Sequence, residues 1–220
     1  MWEKKRKTIA ILHKIWYNAV VYKFIMHEKY NSGGIMRVVG GSKRGAQLIG
    51  FDREEVRPTL DRVKESMFNI IQFESFGNVL DLFAGTGQLG IECLSRGAQH
   101  AVFCDNAKES LEIVRKNLKK TGFEKNAKVL QCDYKRFLKY EADREYDIIF
   151  VDPPYNVGLS DRALKQIGQH PVLAKTGVVV LECAREEAKP EEEGNLVLRR
   201  RYDYGTVSVL IYVRKDRDAE

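Results

Sequence analysis

Apolar residues along this chain fall in short continuous runs that alternate with stretches of helical spacing. The runs Val79-Leu80-Asp81-Leu82-Phe83, Ala101-Val102-Phe103-Cys104, Lys128-Val129-Leu130-Gln131, Ile148-Ile149-Phe150-Val151 and Val178-Val179-Val180-Leu181-Glu182 have strand length. The fourth is apolar throughout and reads as a strand buried on both faces. Between the runs, apolar residues mark helices: Leu89, Ile91 and Leu94 before Gly97; Leu111, Val114 and Leu118, three and four apart, before Gly122; then Phe137 and Leu138, and later Leu164 and Ile167. Strand–helix alternation predicts an α/β fold with a mostly parallel sheet. The last two runs, Leu196-Val197-Leu198 and Val207-Ser208-Val209-Leu210-Ile211-Tyr212, have no helix between them and join through Tyr204-Gly205. They predict an antiparallel C-terminal edge hairpin. Upstream, Arg37-Val38-Val39 and Ala46-Gln47-Leu48-Ile49 flank a glycine-rich, basic loop and predict an N-terminal β-hairpin over 36–50. Thr59 is the expected N-cap of a helix marked by Leu60, Val63, Met67, Ile70 and Ile71.

Composition changes this picture at one end only. The 220 residues suffice for one α/β domain, and 44% hydrophobic with 31% charged residues is ordinary for a globular chain. Of the formal charge of +6, residues 1–35 carry +5, with seven Lys/Arg against Glu3 and Glu28; residues 36–220 are nearly neutral. A basic total is therefore weak evidence for nucleic acid, and a local patch must carry that case. Lys4-Lys5-Arg6-Lys7 resembles the start of a signal peptide, but His13, Lys14, Asn18 and Lys23 break the apolar run behind it, and no small-residue cleavage site follows. Leu12, Ile15, Ala19, Tyr22 and Met26 fit an amphipathic basic helix. The alternative is that 1–35 is an extension preceding the biological start at Met36, with the Gly33-Gly34 codons a ribosome-binding sequence and 36–220 a single domain. Cys93, Cys104, Cys132 and Cys183 are scattered singly, which suits a reducing cytoplasm and neither a disulfide frame nor a zinc site. No metal is expected.

Two stretches carry candidate chemistry. Gly85-Thr86-Gly87-Gln88-Leu89-Gly90 satisfies the dinucleotide pattern G-x-G-x-x-G, with Asp105 twenty residues on. A pyrophosphate site leaves the helix N-terminus to the ligand's anion, yet Asp81 stands four residues before the first glycine. A carboxylate there suits a cationic ligand, with Asp105 for ribose hydroxyls and Asp133 for an adenine amine. That favours S-adenosylmethionine over NAD and keeps an NAD-dependent dehydrogenase as the rival. The second stretch is Asp152-Pro153-Pro154-Tyr155, at the carboxyl end of the fully apolar strand. The prolines restrict the backbone, so Asp152 and the Pro153 carbonyl stand in a fixed relation to the Tyr155 ring. Two acceptors beside a ring suit a planar amine such as a nucleobase; the plain alternative is a stiff turn. Lys43 and Arg44 at the hairpin tip, with Arg37 and Arg62, are candidate phosphate contacts, or else solvated charges.

These residues resemble a known family. Asp81-Leu82-Phe83-Ala84-Gly85-Thr86-Gly87 resembles motif I of class I methyltransferases, and Asp152-Pro153-Pro154-Tyr155 the Asp/Asn-Pro-Pro-aromatic motif of exocyclic-amine methylases. Met36-Arg37-Val38-Val39-Gly40-Gly41, the stretch Arg57-Pro58-Thr59-Leu60-Asp61-Arg62-Val63-Lys64-Glu65-Ser66-Met67-Phe68-Asn69, and Tyr204-Gly205 are similar to the RsmD-type 16S ribosomal RNA guanine-N2 methyltransferases. The resemblance implies a Rossmann-like class I fold and methylation of a guanine N2 in 16S rRNA or the small ribosomal subunit by a cytoplasmic enzyme with no membrane partner. Monomer is the default oligomeric state. It also implies Asp152, Pro153, Pro154 and Tyr155 at the reacting amine, and Asp81, Phe83, Gly85, Thr86, Gly87, Asp105, Asp133, Arg57 and Thr59 around the donor. Arg57 and Thr59 have a plainer reading as surface arginine and helix cap. A DNA adenine or cytosine methylase shares the two widespread motifs but normally carries a recognition insert, and none is visible between Asp152 and Val180. An N-terminal mass measured on protein expressed from the native gene should begin at Met36.

Overall fold

A computed structural model of the chain describes residues 36–51, 58–72, 74, 76–155 and 158–218, with backbone only for 58–62. Among these, eight strands form one sheet in the order β3-β2-β1-β4-β5-β8-β7-β6. The strands are β1 (Asn78–Asp81), β2 (His100–Asp105), β3 (Ala127–Gln131), β4 (Tyr146–Val151), β5 (Leu173–Ala184), β6 (Glu192–Glu193), β7 (Leu196–Tyr204) and β8 (Val207–Arg214). Pairing is parallel from β3 through β5 and antiparallel beyond. The helices are α1 (Pro58–Ile70), α2 (Gln88–Ser95), α3 (Lys108–Thr121), a single turn α4 (Tyr134–Arg136) continuing into a π-helical turn (Phe137–Glu141), and α5 (Leu159–Gln169).

Strand alternation divides the core into two layers. Val79, Phe103, Phe150, Val180 and Ile211 face the side covered by α1, α2, α3 and the N-terminal segment, where Met67, Phe68, Ile91 and Val114 meet them. Leu80, Cys104, Ile149, Leu181 and Tyr212 face the side covered by Phe137, Leu138, Leu164 and Ile167. Ile148, Ile149, Phe150 and Val151 are all fully buried, as an apolar run between two layers requires. Gly90 fixes the spacing of α2 on the sheet: a Cβ there would lie 2.4 Å from Phe103 Cε1.

Three local expectations differ from the structure. α1 opens at Pro58, so Thr59 lies in the first turn and does not cap it. Proline's preset φ and missing N–H suit a first helical position. β7 runs on through Arg199-Arg200-Arg201 to Tyr204, because a strand with one exposed face needs no apolar pattern there. The N-terminal hairpin contains one antiparallel bridge, Arg37 to Gln47, with a 3-10 turn at Gly41–Lys43.

That hairpin is held by side chains of the helices beneath it. Glu92, fully buried in α2, accepts the Val39 N–H (2.8 Å) and pairs with Arg96 (2.9 Å). Ser95 accepts the Lys43 N–H (2.9 Å) and donates to the Gly40 carbonyl (2.6 Å). Asn117 of α3 accepts the Ile49 N–H (2.6 Å) and donates to the Ile49 carbonyl (2.9 Å). The Arg96 guanidinium also lies over the Phe68 ring, 4.8 Å from its centroid. Truncating Glu92 leaves a buried N–H and a cation without their acceptor. Glu92→Ala should therefore cost about 1.5–3 kcal/mol, seen as a lower urea midpoint with an unchanged m-value.

Candidate active site

The sheet order places β1 between β2 and β4, so the chain leaves β1 on one side and returns on the other. The crevice at the carboxyl ends of two such strands is where open α/β sheets take their ligands. The glycine loop lies there. Gly85 and Gly87 both have positive φ (52° and 78°), and a Cβ on Gly87 would press on Val114 and Phe103 at 3.2–3.3 Å. Left-handed backbone and close packing together explain the glycine.

Carboxylates organise the loop. Asp105 Oδ2 accepts the Gly85 N–H (2.9 Å), and its Oδ1 accepts the Ala107 N–H (2.8 Å). Asp81 Oδ2 accepts the Gly90 N–H (3.1 Å) in the first turn of α2. A protein carboxylate therefore stands where a dinucleotide fold would receive its pyrophosphate. The dehydrogenase reading loses its anion site, and the glycines alone do not sustain it.

Register extends the pattern. Asp81 is aligned with Phe103 and with Phe150, and Phe150 with Val180. Two residues further along each neighbouring strand, on the same face, come Asp105, Asp152 and Glu182. All four carboxylates are buried: Asp81 2%, Asp105 3%, Asp152 8% and Glu182 8% exposed. Burial raises the Asp81 pKa to about 7 despite the Gly90 N–H, with the charges of Asp152 and Asp105 adding to the rise. A buried acidic cluster of this kind has its electrostatic complement in a cation. Among the described residues no three His, Cys, Asp or Glu side chains are placed to hold a metal ion.

Asp152, Pro153 and Pro154 are buried, while Tyr155 is half-exposed at the rim. The Tyr155 hydroxyl donates to Glu182 Oε1. Sequence reasoning placed Glu182 only at a strand end; the missed signal was an acid in the same strand-end register as Asp105 and Asp152. Phe83 packs its ring 5.4 Å from that of Tyr134. Thr86 is buried, with its hydroxyl on Met36 Sδ (3.3 Å) and its carbonyl bonded by Asn117 (2.9 Å). Its side chain thus ties the loop to the hairpin. Asp133, exposed just beyond β3, accepts the Lys135 N–H (2.9 Å) as the cap of α4.

Arg37, Lys43 and Arg44 are exposed on the hairpin. Arg57 lies outside the described residues, and for Thr59 and Arg62 only the α1 backbone is described. Farther away, Arg201 is held by Asp203 (2.9 Å) and Arg199 pairs with Glu74 (3.4 Å), while Arg199 and Arg200 are exposed. No helix among the described residues is long and apolar enough to cross a membrane.

Comparison with known proteins agrees with this arrangement. The family model described as "Conserved hypothetical protein 95" matches residues 36–213. A Bacillus subtilis (strain 168) protein provisionally named an rRNA methyltransferase is 42% identical over 183 residues, covering 82% of this chain and all of its own length. Ribosomal RNA small subunit methyltransferase D of Escherichia coli (strain K12) is 32% identical over 189 residues, covering 84% of this chain and 93% of that protein. A solved Escherichia coli structure, provisionally described as a methyltransferase, superposes with a TM-score of 0.72 at 32% identity, covering 82% of this chain and 98% of its own. With the acidic strand ends, the glycine loop and the match from Met36 to Val213, this chain belongs to the conserved hypothetical protein 95 family, the RsmD family of class I S-adenosylmethionine-dependent methyltransferases.

Proposed function

We propose that this protein methylates the exocyclic N2 amine of a guanine in small-subunit (16S) ribosomal RNA, using S-adenosylmethionine. The observation that carries the reading is the buried Asp81 carboxylate at the α2 N-terminus, on the same sheet face as Asp152. When bound, S-adenosylmethionine supplies an electrophilic methyl group on a sulfonium centre. Asp81 answers the positive charge at the methionine end. Asp105 at the end of β2 serves the ribose hydroxyls, and Asp133 beyond β3 serves the adenine amine. Phe83, Gly85, Thr86 and Gly87 shape the loop, and Arg57 and Thr59 belong to the segment approaching the methionine carboxylate.

Asp152 and the Pro153 carbonyl accept hydrogen bonds from the target amine, Pro154 stiffens the turn, and Tyr155 stacks on the base. Such an amine is a poor nucleophile because its lone pair is delocalised into the ring. Two acceptors on its hydrogens hold it in line and favour its rehybridisation. Positioning of this sort supplies up to roughly 7–11 kcal/mol. Stacking on Tyr155 is worth about 1–3 kcal/mol, of the order needed to extrude a base. Of the two acceptors, only Asp152 can hold the proton that the methylated amine releases. Arg37, Lys43 and Arg44 on the hairpin, with Arg62, meet the RNA phosphates. The names of the Escherichia coli and Bacillus subtilis relatives support ribosomal RNA as substrate. The motif Asp152-Pro153-Pro154-Tyr155 and the 57–69 stretch favour the guanine amine.

Labelled-methyl transfer offered to naked rRNA, small subunits and DNA, followed by mapping of the modified base, tests the reading. Methyl label on a guanine of small-subunit rRNA is expected; label on DNA alone would overturn it. In the same assay Asp152→Ala should lower kcat at least a hundredfold while leaving donor affinity within a few fold.

Asp81 gives a pH dependence whose sign is fixed. Folding raises its pKa from 3.8 to about 7, so in the ligand-free protein Asp81 removes stability as pH rises through that interval. A cationic donor favours the ionised form. Its affinity, measured by calorimetry, should rise by up to about tenfold per unit below pH 7 and level off above it. Asp81→Asn should bind weakly and lose most of that slope.

A further inference from the structure

The Asp152-Pro153-Pro154-Tyr155 motif ends here in tyrosine, and stacking alone gives the hydroxyl no task. The fold gives it one. Glu182 lies near the carboxyl end of β5, one position beyond Leu181, which is in register with Val151 of β4. Asp152 and Glu182 are therefore next to each other across adjacent parallel strands. Glu182 is also in register with Val209 of β8, so its backbone is held in the sheet on that side. Its side chain is buried and accepts the Tyr155 hydroxyl. Tyr155 itself sits on a loop, four residues past the last paired position of β4, with its ring half-exposed. A rim aromatic on a loop has rotamer freedom that must be given up when it stacks on a base. A hydrogen bond to a carboxylate anchored in the sheet removes that freedom in advance.

We propose that Glu182 is a positioning residue for methyl transfer: through the Tyr155 hydroxyl it sets the ring in the orientation in which the target base is stacked beside Asp152. The proposal rests on the proposed role of Tyr155, and it adds a pair, Tyr155 with Glu182, as the unit that presents the ring. Glu182 does not touch the reacting atoms, and its contribution is made through Tyr155. A phenylalanine at position 155 would carry the same stacking surface without this tether, so the two side chains are coupled and removal of either has the same effect.

The test is a double-mutant cycle with Tyr155→Phe, Glu182→Ala and the double variant, together with Glu182→Gln, whose amide oxygen still accepts an O–H. Steady-state kcat and KM for the RNA are read alongside donor affinity by calorimetry and the tyrosine ring signals in 13C NMR. Tyr155→Phe and Glu182→Ala should each lower kcat/KM for RNA roughly tenfold, the expected effect of losing one charge-assisted hydrogen bond. The double variant should lose no more than either single one. Glu182→Gln should recover most of the loss, and donor affinity should stay within twofold in Tyr155→Phe, which leaves the acidic cluster intact. The Tyr155 ring signal should broaden or shift in Glu182→Ala and return in Glu182→Gln. Additive losses in the double variant would overturn the proposal, as would a Tyr155 signal indifferent to Glu182. If Glu182→Ala does not fold, the comparison of Tyr155→Phe with Glu182→Gln decides: a silent Tyr155→Phe beside a damaged Glu182→Gln overturns it. The NMR readout needs no turnover, so failure of the rRNA activity and failure of the tether give different results.

Discussion

The arrangement at the crevice depends on keeping like charges close together in a buried place. Asp81, Asp105, Asp152 and Glu182 occupy the carboxyl ends of four adjacent strands, on one face, and all are buried. In a medium of low effective dielectric such a cluster is costly unless each charge has a partner. The fold supplies backbone N–H donors: Gly90 to Asp81, and Gly85 and Ala107 to Asp105. Gly85 lies in the glycine loop and Gly90 in the first turn of α2, while Ala107 precedes α3, so the loop's shape and the acids' environment are one problem. The glycines bring N–H groups to carboxylates, where a dinucleotide fold brings them to a phosphate.

This accounts for the loop's ambiguity as a sequence and its clarity as a structure. G-x-G-x-x-G states only that the backbone turns tightly and packs closely, and both ligand classes need that. What separates them is whether the helix N-terminus is left to the ligand. Asp81 bonded to Gly90 settles that locally, through a contact nine positions apart in the chain.

Much of the remaining fold was legible for simple reasons. Strands buried on both faces, such as 148–151, announce themselves by unbroken apolar runs, and α3 by its spacing and its closing Gly122. Elements whose character comes from one-sided exposure were not legible to their full length. β7 passes through three arginines, and the two-residue β6 carries only glutamates. Asp81, Asp105, Asp133 and the Asp152-Pro153-Pro154-Tyr155 motif were visible because they punctuate strand ends. Glu182, Glu92 and Asn117 were not, since a polar residue inside a strand or helix shows its purpose only through a partner 27 to 68 residues away.

Asn117 has a consequence for how the molecule is put together. One amide nitrogen donates both to Ile49 in the basic hairpin and to Thr86 in the glycine loop. Three segments far apart in the chain therefore share one side chain, and none of the three is fully satisfied until α3 has been made and docked. The hairpin, first in order among the described residues, therefore waits for α2 and α3 before its side-chain partners exist. Its exposed Arg37, Lys43 and Arg44 are thus carried on a segment held by partners 52 to 68 residues further along the chain.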